Sequence, residues 1–135
     1  MKKYIQTLFL VFTTIIAFNA KVHAQTIWTL SQTVGNVDCY YRLTPCNADT
    51  VVFLKFVNRN NSSKTVSWKE VFDTQFAGGV IGFFGRRQMT LSPGTTEQSV
   101  CGDVLYPDCL ILPSEVSAIY VAKIYRFSFA DITVN

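Results

Sequence analysis

The chain predicts an all-β protein, an antiparallel sandwich of about seven strands. Three observations carry that prediction. Strand signals dominate and convincing helical patterns are few. Clusters of Asn, Ser, Pro and Gly punctuate the apolar runs roughly every 8–12 residues, the spacing of an all-β domain. Aromatic residues make up 14% of the chain, and these side chains favour a pleated, half-buried surface.

The elements follow in chain order. Residues 37–43 look extended, with Val37, Cys39, Tyr41 and Leu43 on one face. Residues 51–57 are apolar on both alternating faces, as expected of a strand covered on both sides. The polar stretch 58–63 reads as a turn joining antiparallel strands. In residues 65–69, Val66 and Trp68 point the same way. Met89 and Leu91 alternate with Gln88 and Thr90 before the tight turn Ser92-Pro93-Gly94, and residues 95–100 read as the returning strand. Near the C-terminus, Tyr125, Phe127 and Phe129 face one side and Arg126, Ser128 and Ala130 the other. The apolar phase then slips to Ile132 and Val134, which predicts a bulge or strand change near Asp131. Residues 114–122 are the single helical candidate, with Ser114 as its N-cap. Trp68, Leu54, Phe56 and Phe127 are the expected core.

Residues 1–24 have the form of a secretory signal peptide: a basic start at Lys2-Lys3, an apolar run over 8–18, and Val22-His23-Ala24 before Gln25. Residues 25–135 are then one domain, exported to the periplasm or secreted. Gln25 in place of Cys disfavours a lipid anchor, and the apolar run is too short to stay behind as a membrane span. Removing Lys2, Lys3 and Lys21 from the 12 Lys and Arg leaves nine, equal to the nine Asp and Glu. A neutral domain lacks the basic footprint of nucleic-acid binding.

Four cysteines in a small exported domain read as disulfides rather than zinc ligands, because gaps of seven and eight residues do not fit tetrathiolate spacings. A strand over 37–43 carries Cys39 about 20 Å from Cys46, beyond bridging reach. The nested pairing Cys39–Cys109 with Cys46–Cys101 matches two antiparallel segments of nearly equal spacing. It is the favoured one of three connectivities.

The one histidine, His23, lies in the leader. Residues 25–135 therefore hold no Ser-His-Asp or Cys-His arrangement, and no Ser-x-x-Lys. The expectation is a non-enzymatic domain with no cofactor and no metal. Asp103 and Asp108 match no calcium loop, and Asn60 and Asn61, each opening an Asn-x-Ser sequon, read as solvated turn residues. Residues 78–87 carry the functional expectation. Their four glycines match no phosphate loop. One reading is a mobile loop presenting Phe83 and Phe84 beside Arg86 and Arg87 to a partner. The other, given more weight, is a glycine-kinked edge strand whose aromatics pack down.

The phrases Val52-Phe53-Leu54-Lys55-Phe56-Val57-Asn58-Arg59-Asn60 and Met89-Thr90-Leu91-Ser92-Pro93-Gly94-Thr95-Thr96 resemble immunoglobulin-like sandwich domains secreted by Bacteroidetes-type bacteria. The ending Phe127-Ser128-Phe129-Ala130-Asp131-Ile132-Thr133-Val134 resembles the last strand of small uncharacterised members. The resemblance implies an immunoglobulin-like fold and an exported location, and it carries over no active site. The leading functional class is an interaction domain for a protein or glycan. The alternatives are a carbohydrate-binding module stacking sugars on Trp28, Tyr40, Tyr41 or Tyr106, and a small secreted hydrolase or inhibitor.

Overall fold

A computed structural model describes residues 27–102 and 105–135. The predicted leader and Asp103 lie outside the described residues. Among the described residues eight strands form two antiparallel sheets: β1 (Thr29–Val34), β2 (Val37–Cys46), β3 (Asp49–Asn58), β4 (Lys64–Thr74), β5 (Val80–Leu91), β6 (Gly94–Glu97), β7 (Leu110–Ile111) and β8 (Ile124–Val134). The first sheet runs β1-β2-β3-β6, with β7 also pairing β3. The second runs β5-β4-β8. Among the described residues no helix is long and apolar enough to cross a membrane.

One core lies between the sheets. Leu54 and Phe56 of β3 meet Trp68 and Phe72 of β4 and Phe127 and Phe129 of β8, all buried. The Phe56 and Trp68 rings lie 5.1 Å apart, and Tyr41 of β2 meets the Phe127 ring edge-on at 5.2 Å. Such tilted and edge-on pairs are the arrangement the ring quadrupoles favour. The four expected core residues are all in place.

The second face of β3 is covered too, as the doubly apolar run predicts. Val51 and Phe53 are buried, and Arg42 lays its guanidinium between the rings of Phe53 and Trp28, at 4.9 and 4.7 Å. Arg42 Nη2 also donates to the Ser99 carbonyl. This lid is anchored by the Cys46–Cys101 disulfide, whose Cα atoms lie 5.7 Å apart. It ties the segment after β6 to the end of β2.

The second bridge of the nested pairing is absent: Cys39 and Cys109 are free, buried thiols. Register explains the correction. Cys39 of β2 sits opposite Phe56 of β3, whereas Cys109 immediately precedes the Leu110↔Phe53 pair on the other side of β3. With β3 between them, the two cysteines stand two strand spacings apart, about 9–10 Å, and bridged Cα atoms lie within about 7 Å.

Several boundaries differ from expectation. Residues 58–63 do not join paired strands, because β3 and β4 belong to different sheets; the turn passes the chain across the core. Likewise β6 pairs with β3 rather than returning beside β5. Residues 114–122 form no α-helix, only the 3-10 turn Pro113–Glu115, with Glu115 accepting the Leu112 N–H at 2.7 Å. From there the segment runs on irregularly and buries Val116 and Ala122. Tyr125 is exposed rather than aligned with Phe127, because a bulge between Asp73 and Thr74 of β4 shifts the pairing. The predicted bulge near Asp131 is present: pairing slips between Ser67 and Lys69, and Asp131 takes φ 50° while gripping Lys69 at 2.7 Å.

Candidate functional site on the edge strand

Of the candidate segment 78–87, residues 80–87 lie in strand β5, an edge of the three-stranded sheet. It is not a regular edge. Val71 pairs with Ile81 and Lys69 with Arg86. One residue of β4, Glu70, therefore spans four residues of β5, 82–85, which rise out of the ladder as an arch. Glycines at the two ends permit it. Gly82 presses so close to β4 that a Cβ there would sit 3.0 Å from Glu70 Oε2 and 3.1 Å from Phe72 Cε2. Gly85 takes φ +69°, where a side chain is strained.

Between them Phe83 and Phe84 are 61% and 55% exposed. Their rings touch edge-to-face at 5.4 Å. The segment thus belongs to a glycine-kinked edge strand, but its aromatics do not pack down.

The two arginines part company, because neighbours on a strand point to opposite faces. Arg86 is exposed on the outer face, its Nη1 3.5 Å from Thr133 Oγ1. Arg87 turns inward. Its Nε lies 2.8 Å from Glu70 Oε1, an ion pair not aligned as a hydrogen bond, and its Nη2 lies 3.4 Å from Glu115 Oε1. The guanidinium carbon also stands 5.0 Å from the centre of the Phe84 ring. Glu70 is 2% exposed. Burial raises its pKa, and the neighbouring Arg87 charge partly offsets that rise. Arg87 is therefore a strut under the arch rather than a free cation.

A shallow cavity of ≈ 320 Å³ opens beside this strut, lined by Phe84, Arg87, Gln88, Asp108 and Glu115. Sequence reading missed Glu70 and Glu115, which lie 17 and 28 residues away from Arg87 along the chain. Glu70 carried one faint signal, a carboxylate at the inward phase between Trp68 and Phe72.

The remaining candidates are placed elsewhere. Asp108 lies in the 3-10 turn Pro107–Cys109, and among the described residues no group of three or more His, Cys, Asp or Glu is arranged to hold a metal. The four aromatics proposed for sugars do not share one face. Tyr41 and Tyr106 pack against the core, while Trp28 and Tyr40 have Lys55 Nζ over their rings at 4.8 and 4.4 Å. The Asn60 side chain donates to Gly35 O and Asn58 Oδ1, so it is tied into its turn. Compared with protein-family models, curated proteins and solved structures, the chain matches none.

Proposed function

We propose that this chain is an exported, non-enzymatic binding domain of the immunoglobulin-like sandwich class, and that it captures a protein partner through the Phe83–Phe84 arch. The strand order supports the fold reading. The chain crosses between sheets after β3 and after β5, β6 returns beside β3, and β8 settles beside β4; repeated crossing between two antiparallel sheets is a feature shared with immunoglobulin-like sandwiches. The Cys46–Cys101 disulfide supports an oxidising compartment.

The exposure of two adjacent, mutually packed phenylalanines on a glycine-bounded arch carries the functional reading. Nothing about core packing requires Phe83 and Phe84 to sit there. Large aromatics flanked by arginine are the residue types that dominate interface energetics.

The test is capture from a cell-envelope extract by the purified mature protein and by Phe84→Ala. The variant is expected to stay folded and to lose no more than about 1 kcal/mol, the size of an exposed cation–π contact such as Phe84 makes with Arg87, and to lose the captured partner. A variant that retains the same partner at the same yield overturns the reading.

A further inference from the structure

We propose that the groove beside β5 receives an extended, basic peptide segment of the protein partner, added as a further strand along residues 86–91. The inference rests on the reading of the arch as a binding site and specifies the chemistry of its partner.

Three features lead to it. First, β5 ends its sheet. Among the described residues no backbone hydrogen bond outside the β4 ladder reaches residues 80–91, and Leu91 O alone accepts a side-chain donor, Asn58 Nδ2 at 3.1 Å. The outer row of N–H and C=O groups along 86–91 is therefore open, and a row of that kind is a template for another strand. Of the devices that blunt such edges, β5 carries a bulge at 82–85 and the inward-pointing Arg87, but no proline or lysine. The arch interrupts the edge at 82–85 and leaves six residues of ladder beyond it.

Second, the open edge borders the cavity. In the β4–β5 ladder Arg87 pairs with Trp68 and Met89 with Val66, so both face the core side. An added strand would point alternate side chains the same way, over the shallow cavity beside Arg87, Asp108 and Glu115. At the other end, its apolar residue would cover Phe83 and Phe84.

Third, the charge of the groove is one-sided. Two carboxylates, Glu115 and Asp108, line it with one guanidinium, Arg87, behind which the Glu70 carboxylate is buried. Arg87 is held by Glu70 at 2.8 Å and by Glu115 at 3.4 Å. Among the described residues no hydrogen bond or ion pair engages the exposed Asp108 carboxylate. Arg86 lies on the opposite face. An incoming lysine or arginine meets an unmatched negative potential, and an incoming carboxylate meets repulsion. Such complementarity selects between partners even where it adds modestly to affinity.

Two acetylated octapeptides test the proposal, one alternating Thr with Lys and one alternating Thr with Glu, each ending in Phe. Backbone amide shifts of the isotope-labelled mature protein are followed during titration. The lysine peptide is expected to move the amides of residues 86–91, and Asp108→Lys, at an exposed position, to weaken it by about tenfold or more. The glutamate peptide is expected to leave those amides in place. N-methylation of alternate lysine-peptide residues removes the ladder donors and is expected to abolish binding.

Equal binding of the two peptides, undiminished binding of the N-methylated one, or unmoved amides at 86–91 overturns the proposal. So does a dimer of the protein alone in which those amides become protected from exchange, since a second copy would then own the edge. If Phe84→Ala loses the extract partner while the lysine peptide fails to bind, the arch stands and the basic peptide falls. If the peptide binds along 86–91 while Phe84→Ala keeps its extract partner, the groove stands and the arch reading falls.

Discussion

At the scale of single residues, close approach and buried charge decide the site. Gly82 is the clearest case, since any side chain there meets Glu70 Oε2 and Phe72 Cε2 at 3.0 and 3.1 Å. Neither neighbour yields easily: Glu70 is held by Arg87, and Phe72 is buried against Phe127 at 5.5 Å. Gly82→Ala is therefore expected to cost about 1–3 kcal/mol, the range of overpacking a filled site, measured by urea unfolding. A second residue-scale consequence concerns acid. Asp38 accepts from Arg59 Nε at 2.8 Å and from Thr33 Oγ1 at 2.7 Å. Its pKa is lowered, first by the Arg59 hydrogen bond and then by Thr33. A carboxylate whose folded pKa lies below its unfolded one contributes stability that is present above the unfolded value, 3.8, and is lost as pH falls through the folded value. The wild type should thus lose stability below about pH 4 more steeply than Asp38→Asn, read as unfolding midpoints across a pH series.

At the scale of elements, irregularities in β4 pairing and one covalent tie govern what the strands present. The four-against-one mismatch at Glu70 lifts the arch on one edge, and the slip near Asp131 bends β8 on the other. The disulfide works on the first sheet, holding the irregular segment after β6 against the β2–β3 end. Its cysteines are 55 positions apart, so closing that loop lowers unfolded-chain entropy by an amount equivalent to about 4 kcal/mol. Cys46→Ala and Cys101→Ala are expected to lose that stability alike. The Cys39→Ala and Cys109→Ala variants lack this effect and lose only packing. Denaturation of the four variants under non-reducing conditions separates the two mechanisms. Equal losses with an identical dependence on added reductant would contradict the assignment.

At the scale of the whole molecule, one core shared by both sheets makes the two free thiols reporters of global opening. Burial pushes the Cys39 and Cys109 thiols up to about 12, and both belong to the core cluster that joins the sheets. A disulfide reagent is expected to find no reactive thiol in the native protein and two once it is unfolded. The labelling rate should follow global stability rather than local fraying. Two thiols that react at different rates in native buffer would show the core to open in parts. The sequence alone determined the all-β class, because period two can be read over a few residues: Val66 with Trp68, Phe127 with Phe129, and the doubly apolar run around Leu54 and Phe56. It also determined that residues 78–87 would be unusual, since four glycines among large apolar residues penalise a regular ladder. Which strands pair, which cysteines meet and which way Phe83 and Phe84 point belong to the tertiary structure. Those outcomes depend on register between distant segments: β3 standing between Cys39 and Cys109, and Glu70 answering four residues of β5. Alternation along one strand fixes which residues share a face, but only the partner strand decides which face is buried and where the ladder must break.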